Sequence, residues 1–416
     1  MLNGVAAGAA VPDASVLHQG NAVPIQIPCR RNRLPRRNVR MASKAHEFSL
    51  WRENTPIPKS YNPNVVPGIR TQATPLLSAS KVVERLNTGV HAQAASHFGA
   101  FYSSELGGIV TDPALMVVHM DDHMVHRGHS VFDTASIVHG HVYQLDRHLA
   151  RFQASAEAAG LSMPYSMEKV TRVILDTAAA SKKLNGTIRF WLSAGRGGFG
   201  LSIRECIEPS LYVMASSELV PKMNALDRIA GWTACISPVP PSPDMFATIK
   251  STNYLRNALV LQHAESQGFD VGLFVDDEGH VQEGPNMNLA IITQEDVMIT
   301  PPPTGCLEGV TMQRLIELIP FEVRRSPNDV VIKDIRRRPI SIEEVAAAKE
   351  VFVTSTTLRV MGIVSLDGTP IADGTPGITT MALDAMLLED QKIEEGSMQH
   401  IAIPWGYVTG MRDQLM

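Results

Sequence analysis

Cysteine is scarce in this chain: four in 416 residues, Cys29, Cys206, Cys235 and Cys306, scattered and with no Cys-x-x-Cys pair. That spacing excludes a disulfide-stapled scaffold and a zinc ribbon, and it fits a reducing compartment. Long apolar runs are also missing, and nothing approaches the roughly 20 residues that a membrane-crossing helix needs. There is no overall excess of positive charge, and a net charge of −5 gives no reason to expect a nucleic-acid partner. What remains is the balance of a globular protein, 44% hydrophobic and 19% charged, with a mean hydropathy near zero. At this length the chain suits two or three domains rather than one core.

The charge is unevenly spread. Residues 1–44 hold six Arg and one Lys against the single acid Asp13, while the remainder carries 30 basic and 41 acidic residues. The arginines cluster between Arg30 and Arg40, behind an Ala/Gly/Val-rich start. An Arg-rich, acid-poor leader ahead of a balanced chain reads as an organelle transit peptide, and a disordered basic tail or translation starting at Met41 is the alternative. Composition does not separate chloroplast from mitochondrion.

Residues 45–110 read as an extension with one helix-like stretch, Leu77 to Leu86. Residues 111–215 then read as a small α/β domain. Its strands are Met116–Met120, Ser130–Val138, Thr187–Ser193 and Leu211–Ala215, with a hairpin at His139-Gly140. Leu145, Leu149, Phe152 and Ala156 recur on one face of a helix, and a second helix runs from Ser166 to Ser181. A linker, 216–227, leads to a larger domain, 228–396, expected as a pseudo-barrel of α+β type, and 397–416 form a tail. Its helices are expected over Asn253–Gln267, Val310–Leu318 and Thr379–Glu389, and its strands over Val271–Val275, Leu289–Thr293 and Glu350–Val353.

Four features of that larger domain could carry chemistry, and each also has an ordinary reading. Lys250 stands where an apolar segment meets a helix, and partial desolvation there favours the neutral, nucleophilic amine that forms a Schiff base. A surface lysine at a helix start is the ordinary reading. Glu283 follows a turn and precedes a strand, where a carboxylate could pair with a ring nitrogen or merely close the turn. Gly309-Val310-Thr311 enters a helix, and free N–H groups at a helix start bind phosphate, although most such starts are only caps. Thr354-Ser355-Thr356-Thr357 leaves a strand as a dense set of donors, a second phosphate contact or a plain turn.

Taken in order, these motifs resemble the class IV (fold type IV) aminotransferases, which use pyridoxal 5'-phosphate. Lys250-Ser251-Thr252-Asn253-Tyr254-Leu255 is followed thirty-three residues on by Glu283-Gly284-Pro285-Asn286-Met287-Asn288. Leu307-Glu308-Gly309-Val310-Thr311 comes next, and Leu145-Asp146-Arg147-His148-Leu149-Ala150-Arg151 matches the family's early helix. The likeness runs from about Met116 to Glu389. Within the family, the chain is most similar to the plant-type D-amino acid transaminase and aminodeoxychorismate lyase group, and the segment His119 to Asp133 resembles the small-domain segment of the plant-type D-amino acid transaminases.

The resemblance implies a two-domain α+β fold, a homodimer and roles for named residues. Lys250 would bond the cofactor and shuttle the substrate's α-proton, and Glu283 would face the pyridine nitrogen. Arg151, Val310, Thr311, Ser355 and Thr356 would hold the phosphate, and Tyr254 would touch the ring oxygen. For the substrate carboxylate the candidates are Arg189 first, then Arg127 and Arg196. The implied reaction is transfer of an amino group from a D-amino acid such as D-alanine to a 2-oxo acid such as 2-oxoglutarate. Aminodeoxychorismate lyase is the alternative, weakened because Phe199 stands where that group's loop carries arginine. A branched-chain aminotransferase comes third, and a vitamin-binding protein without activity is the reading from another class. No membrane, nucleic-acid or metal partner is expected.

Overall fold

The computed structural model describes residues 74–90, 96–217, 225–325, 330–393, 397 and 399–407. The chain divides into two units, Met1–Leu76 and Leu77–Met416, and the second carries both sheets and the helices that cover them. The Arg-rich segment read as a transit peptide lies outside the described residues, as do most of the linker and the end of the tail.

The first sheet contains β1 (Phe98–Ser103), β2 (Gly108–Val110), β3 (Ser130–Val138), β4 (His141–Tyr143), β5 (Gly186–Ser193) and β6 (Ser210–Ser216). The strand His400–Ala402 adds to its edge, giving the order His400–Ala402, β4, β3, β5, β6, β1, β2, antiparallel throughout. Three of these strands come from segments that read otherwise: β1 and β2 from the extension and His400–Ala402 from the tail. The expected strand Met116–Met120 does not form. Val117 and Met120 stay exposed, and the backbone closes local turns instead.

Helix α1 (Ala79–Gly89), capped by Ser78, buries no side chain, and the five-residue α2 (His123–Arg127) starts on the buried Asp122. Two longer helices cover the first sheet. In α3 (Leu145–Ala158) the residues Leu145, Leu149, Phe152 and Ala156 are all buried, as their spacing requires. Fully burying each large apolar side chain contributes about 1.5–3 kcal/mol. In α4 (Met167–Ser181) the Ser166 hydroxyl caps the first turn by accepting from Lys169 N. Phe152 and Phe190 meet edge-to-face at 4.9 Å in the core between helix and sheet.

The second sheet is mixed: β7 (Trp232–Ile236), β8 (Val271–Leu273), β9 (Glu283–Gly284), β10 (Met287–Ile292), β11 (Val297–Thr300), β12 (Asp334–Arg337), β13 (Glu350–Ser355) and β14 (Arg359–Leu366), with Thr369–Pro370 beside β14. Its order is β12, β11, β10, β13, β14, β7, β8, with β9 forming a short hairpin on β10. Alternation decides which face each residue serves. Leu289 and Ile291 join one core cluster while Ala290 and Ile292 join the other, and Val351 and Val353 are likewise separated from Phe352. Helix α5 (Leu255–Gln267) packs on β8, while α6 (Val310–Arg325) packs on β13 and α7 (Ile378–Asp390) on β13 and β14. The sequence pattern ended α6 at Leu318, but the helix continues through Pro320. Its buried stripe Val310, Met312, Leu315 and Ile319 outweighs the single backbone bond that proline removes.

Candidate active site

The two sheets meet at the segment that carries Lys250. This segment lies along the free end of β3, where Phe132 N donates to Lys250 O (2.9 Å) and Thr252 N donates to Ser130 O (3.0 Å). From α3, the Ser155 hydroxyl accepts Lys250 N at 3.2 Å. Lys250 is therefore pinned through its backbone on both sides, and its Nζ donates to Tyr254 Oη at 3.1 Å. The amine also lies 4.8 Å from the centre of the Phe132 ring.

A cavity of about 490 Å³ opens beside it. Its lining brings together nine residues singled out from sequence: Lys250, Glu283, Arg151, Tyr254, Val310, Thr311, Ser355, Thr356 and Arg189. A larger groove, about 720 Å³, lies behind Arg151 between α3 and α6, but it holds no lysine, and its charges are spent in the pairs Arg147–Glu317 and Arg337–Glu308. The smaller cavity is where the reactive groups converge.

Glu283 sits in β9, with its backbone O accepting Phe274 N at 2.9 Å. Burial pushes its carboxyl up to about 8; the nearby charges of Lys250 and Arg151 and the Leu307 N–H pull the other way without winning. A carboxyl so poised favours a cation opposite it. At the far end, α6 begins with Val310 and Thr311 facing the cavity, and its first N–H groups have no partner within the helix. Glycine is required just ahead of it, since a Cβ on Gly309 would lie 1.8 Å from Asn288 Oδ1. Asn288 is in turn fixed by donating to Leu307 O at 2.6 Å. The end of β13 and the turn after it add hydroxyls, and among them the buried Thr354 Oγ1 has no hydrogen-bond partner among the described residues. Ser136 Oγ donates to Thr356 O at 3.1 Å, tying β3 to this turn.

Arg151 lines the cavity, but its donors are already in use. Its Nε and Nη2 fork onto Asp133 at 2.8 Å each, and Nη1 donates to Glu308 O at 3.0 Å, so it links α3 to the approach of α6. Asp133 is wholly buried. Burial would raise its carboxyl, yet the Arg151 guanidinium holds it well below the usual carboxylate range. Burial lowers His148, so the neutral imidazole donates Nδ1–H to Asp133 at 2.8 Å.

The three arginines proposed for the substrate carboxylate separate. Arg196 forks onto Asp121 at 2.9 and 3.0 Å, with Glu105 at 3.7 Å. Arg127 donates to the carbonyls of His126, Phe199 and Gly200. Arg127 fastens the Gly-rich loop to α2 and Arg196 fastens it to the turn ahead of that helix, and neither lines this cavity. Arg189 does line it, and among the described residues it has no carboxylate partner. Sequence reasoning gave no role to Phe132, Thr134, Asn257 or Asp133. The period-2 alternation of β3, which places Phe132 and Thr134 on one face and Asp133 on the other, was the available signal.

Comparison with known proteins agrees with this arrangement. A D-amino-acid transaminase, chloroplastic, from Arabidopsis thaliana is 36% identical over 332 residues, 80% of this chain and 86% of that protein. A bifunctional aminodeoxychorismate lyase / D-amino acid transaminase from Mycobacterium tuberculosis is 28% identical over 69% of this chain and 99% of its own. Among solved structures, the branched-chain amino acid aminotransferase of Escherichia coli superposes with a TM-score of 0.65 at 22% identity, covering 74% of this chain and 99% of that one. The cofactor of class IV aminotransferases is pyridoxal 5'-phosphate. The residues present fit it: an amine, an acid with a raised pKa, a helix start that admits only glycine before it, and a strand end with an unpartnered hydroxyl. The family model for amino-transferase class IV matches residues 130–366, more than half of the sequence, and the chain belongs to this family of aminotransferases.

Proposed function

We propose that the enzyme transfers the amino group of a D-amino acid, D-alanine for example, to a 2-oxo acid such as 2-oxoglutarate. The observation that carries this reading is the pairing, in one cavity, of the Lys250 amine with a single arginine, Arg189, that has no carboxylate partner among the described residues. The preference for D-amino acids is supported by the 36% identity to a protein named as a D-amino-acid transaminase.

When bound, pyridoxal 5'-phosphate supplies an aldehyde for the substrate amine and a ring that draws electrons from the α-carbon. Lys250 would hold the cofactor and move the proton at the substrate's α-carbon, and Tyr254 Oη, 3.1 Å from its Nζ, would orient that amine. Glu283 would hold the proton at the ring nitrogen, the cation opposite restoring the carboxylate form that burial alone disfavours. Val310, Thr311, Ser355 and Thr356 would donate to the phosphate, with Arg151 as the positive charge behind them. Arg189 would clasp the substrate carboxylate with its two Nη groups.

The reading also includes a chloroplast address, supported by the Arg-rich N-terminus and by the plant relative's name, and a homodimer, as the family resemblance implies. The test loads the protein with pyridoxal 5'-phosphate and follows the cofactor's absorbance after adding one amino acid without an acceptor. Conversion by D-alanine but not by L-alanine or L-leucine, and absent in Lys250→Ala, is the expected result. Conversion by L-leucine alone would replace this reading with a branched-chain aminotransferase. No conversion by any amino acid, with 4-aminobenzoate released from 4-amino-4-deoxychorismate, would make the chain a lyase.

A further inference from the structure

We infer that Thr134 is a positioning residue that holds Arg189 in the orientation needed to grip the substrate carboxylate. The inference rests on the reading of Arg189 as that clasp. In the register of β3 against β5, Thr134 stands directly opposite Arg189, on the same face of the sheet. The Thr134 hydroxyl accepts Arg189 Nε–H at 2.9 Å. That bond uses the one guanidinium N–H that is not on the terminal fork and leaves all four Nη hydrogens for a ligand. A bidentate carboxylate needs such a fork held in place.

Two further contacts point the same way. The guanidinium carbon lies 5.6 Å from the centre of the Phe132 ring, two residues before Thr134 on the same face of β3. Thr134 itself is 8% exposed, and its branched side chain on a strand has little rotamer freedom, so the acceptor is fixed in direction. Arginine loses considerable side-chain freedom when a ligand immobilises it, and a partner that orders it beforehand removes that cost from binding. Ser136, the next residue on this face, turns its hydroxyl to Thr356 O instead, so one face of β3 serves both ends of the cavity.

The test uses the loaded enzyme and D-alanine, with Kd taken from saturation of the half-reaction and the limiting rate read separately. Thr134→Val keeps the shape and removes the acceptor; Kd should rise about tenfold, the size of one hydrogen bond to a charged group, with the limiting rate nearly unchanged. Thr134→Ala replaces it if the valine variant does not fold. Thr134→Ser restores the acceptor and should return Kd to the wild-type value. In Arg189→Lys, which has its own weakened Kd, adding Thr134→Val should cost nothing more. If Arg189→Lys weakens D-alanine and Thr134→Val does not, the positioning role is wrong while the clasp stands. If the two substitutions multiply, Thr134 acts independently of Arg189 and the inference also fails. If neither weakens binding, the reading of Arg189 falls and takes the inference with it.

Discussion

Glu283 offers a test that needs no substrate. Its carboxyl ordinarily ionises near 4.5, and burial in the folded chain raises that to about 8. Between these values the folded state keeps a proton that the unfolded state has lost, so stability falls as pH rises through this window and is fully present only below it. At about 1.4 kcal/mol for each pH unit, the cofactor-free protein loses at most roughly 5 kcal/mol by the time pH passes 8. Glu283→Gln has the same shape and no proton to lose, so its stability should stay level across the same range. Urea denaturation of the two cofactor-free proteins at several values between pH 5 and 9 measures the difference directly. Parallel profiles for wild type and Glu283→Gln would refute the placement of a buried, proton-holding acid here. Loading with pyridoxal 5'-phosphate should flatten the wild-type profile, because a cation opposite Glu283 restores its ionised form.

Asp133→Asn leaves the buried Arg151 without its counter-charge and should cost about 3–5 kcal/mol in denaturation, with loss of cofactor retention on gel filtration. Gly309→Ala drives a methyl group to 1.8 Å from Asn288 Oδ1, displacing the start of α6; cofactor titration should show binding weakened about tenfold while far-UV circular dichroism is unchanged. Arg196→Ala removes a loop clamp outside the cavity and should leave the D-alanine half-reaction within twofold of wild type, measured by the cofactor's absorbance.

Much of the site was legible because its chemistry sits at local punctuation marks. Lys250 lies just ahead of helix α5, Glu283 after a turn, Val310 and Thr311 at a helix start, and Ser355 and Thr356 where a strand ends; each is visible within a few residues of sequence. Helix α3 was equally legible from the spacing of Leu145, Leu149, Phe152 and Ala156. The arginines were not. Arg196 finds Asp121 seventy-five positions away, and Arg127 reaches Phe199 and Gly200 across a comparable separation. No local pattern reveals whether such a charge is already spent.

What the sequence determined by itself was the inventory of reactive groups and the short elements that present them, since periodicity, caps and turns act over one or two turns of chain. Tertiary structure decided which cation remained available. The register of β3 on β5 sets Thr134 beside Arg189, fifty-five residues apart, and the folding of the Gly-rich loop onto α2 removes Arg127 and Arg196. Strand register and loop closure depend on long-range packing, where a slip of one residue would turn Arg189 to the other face of the sheet.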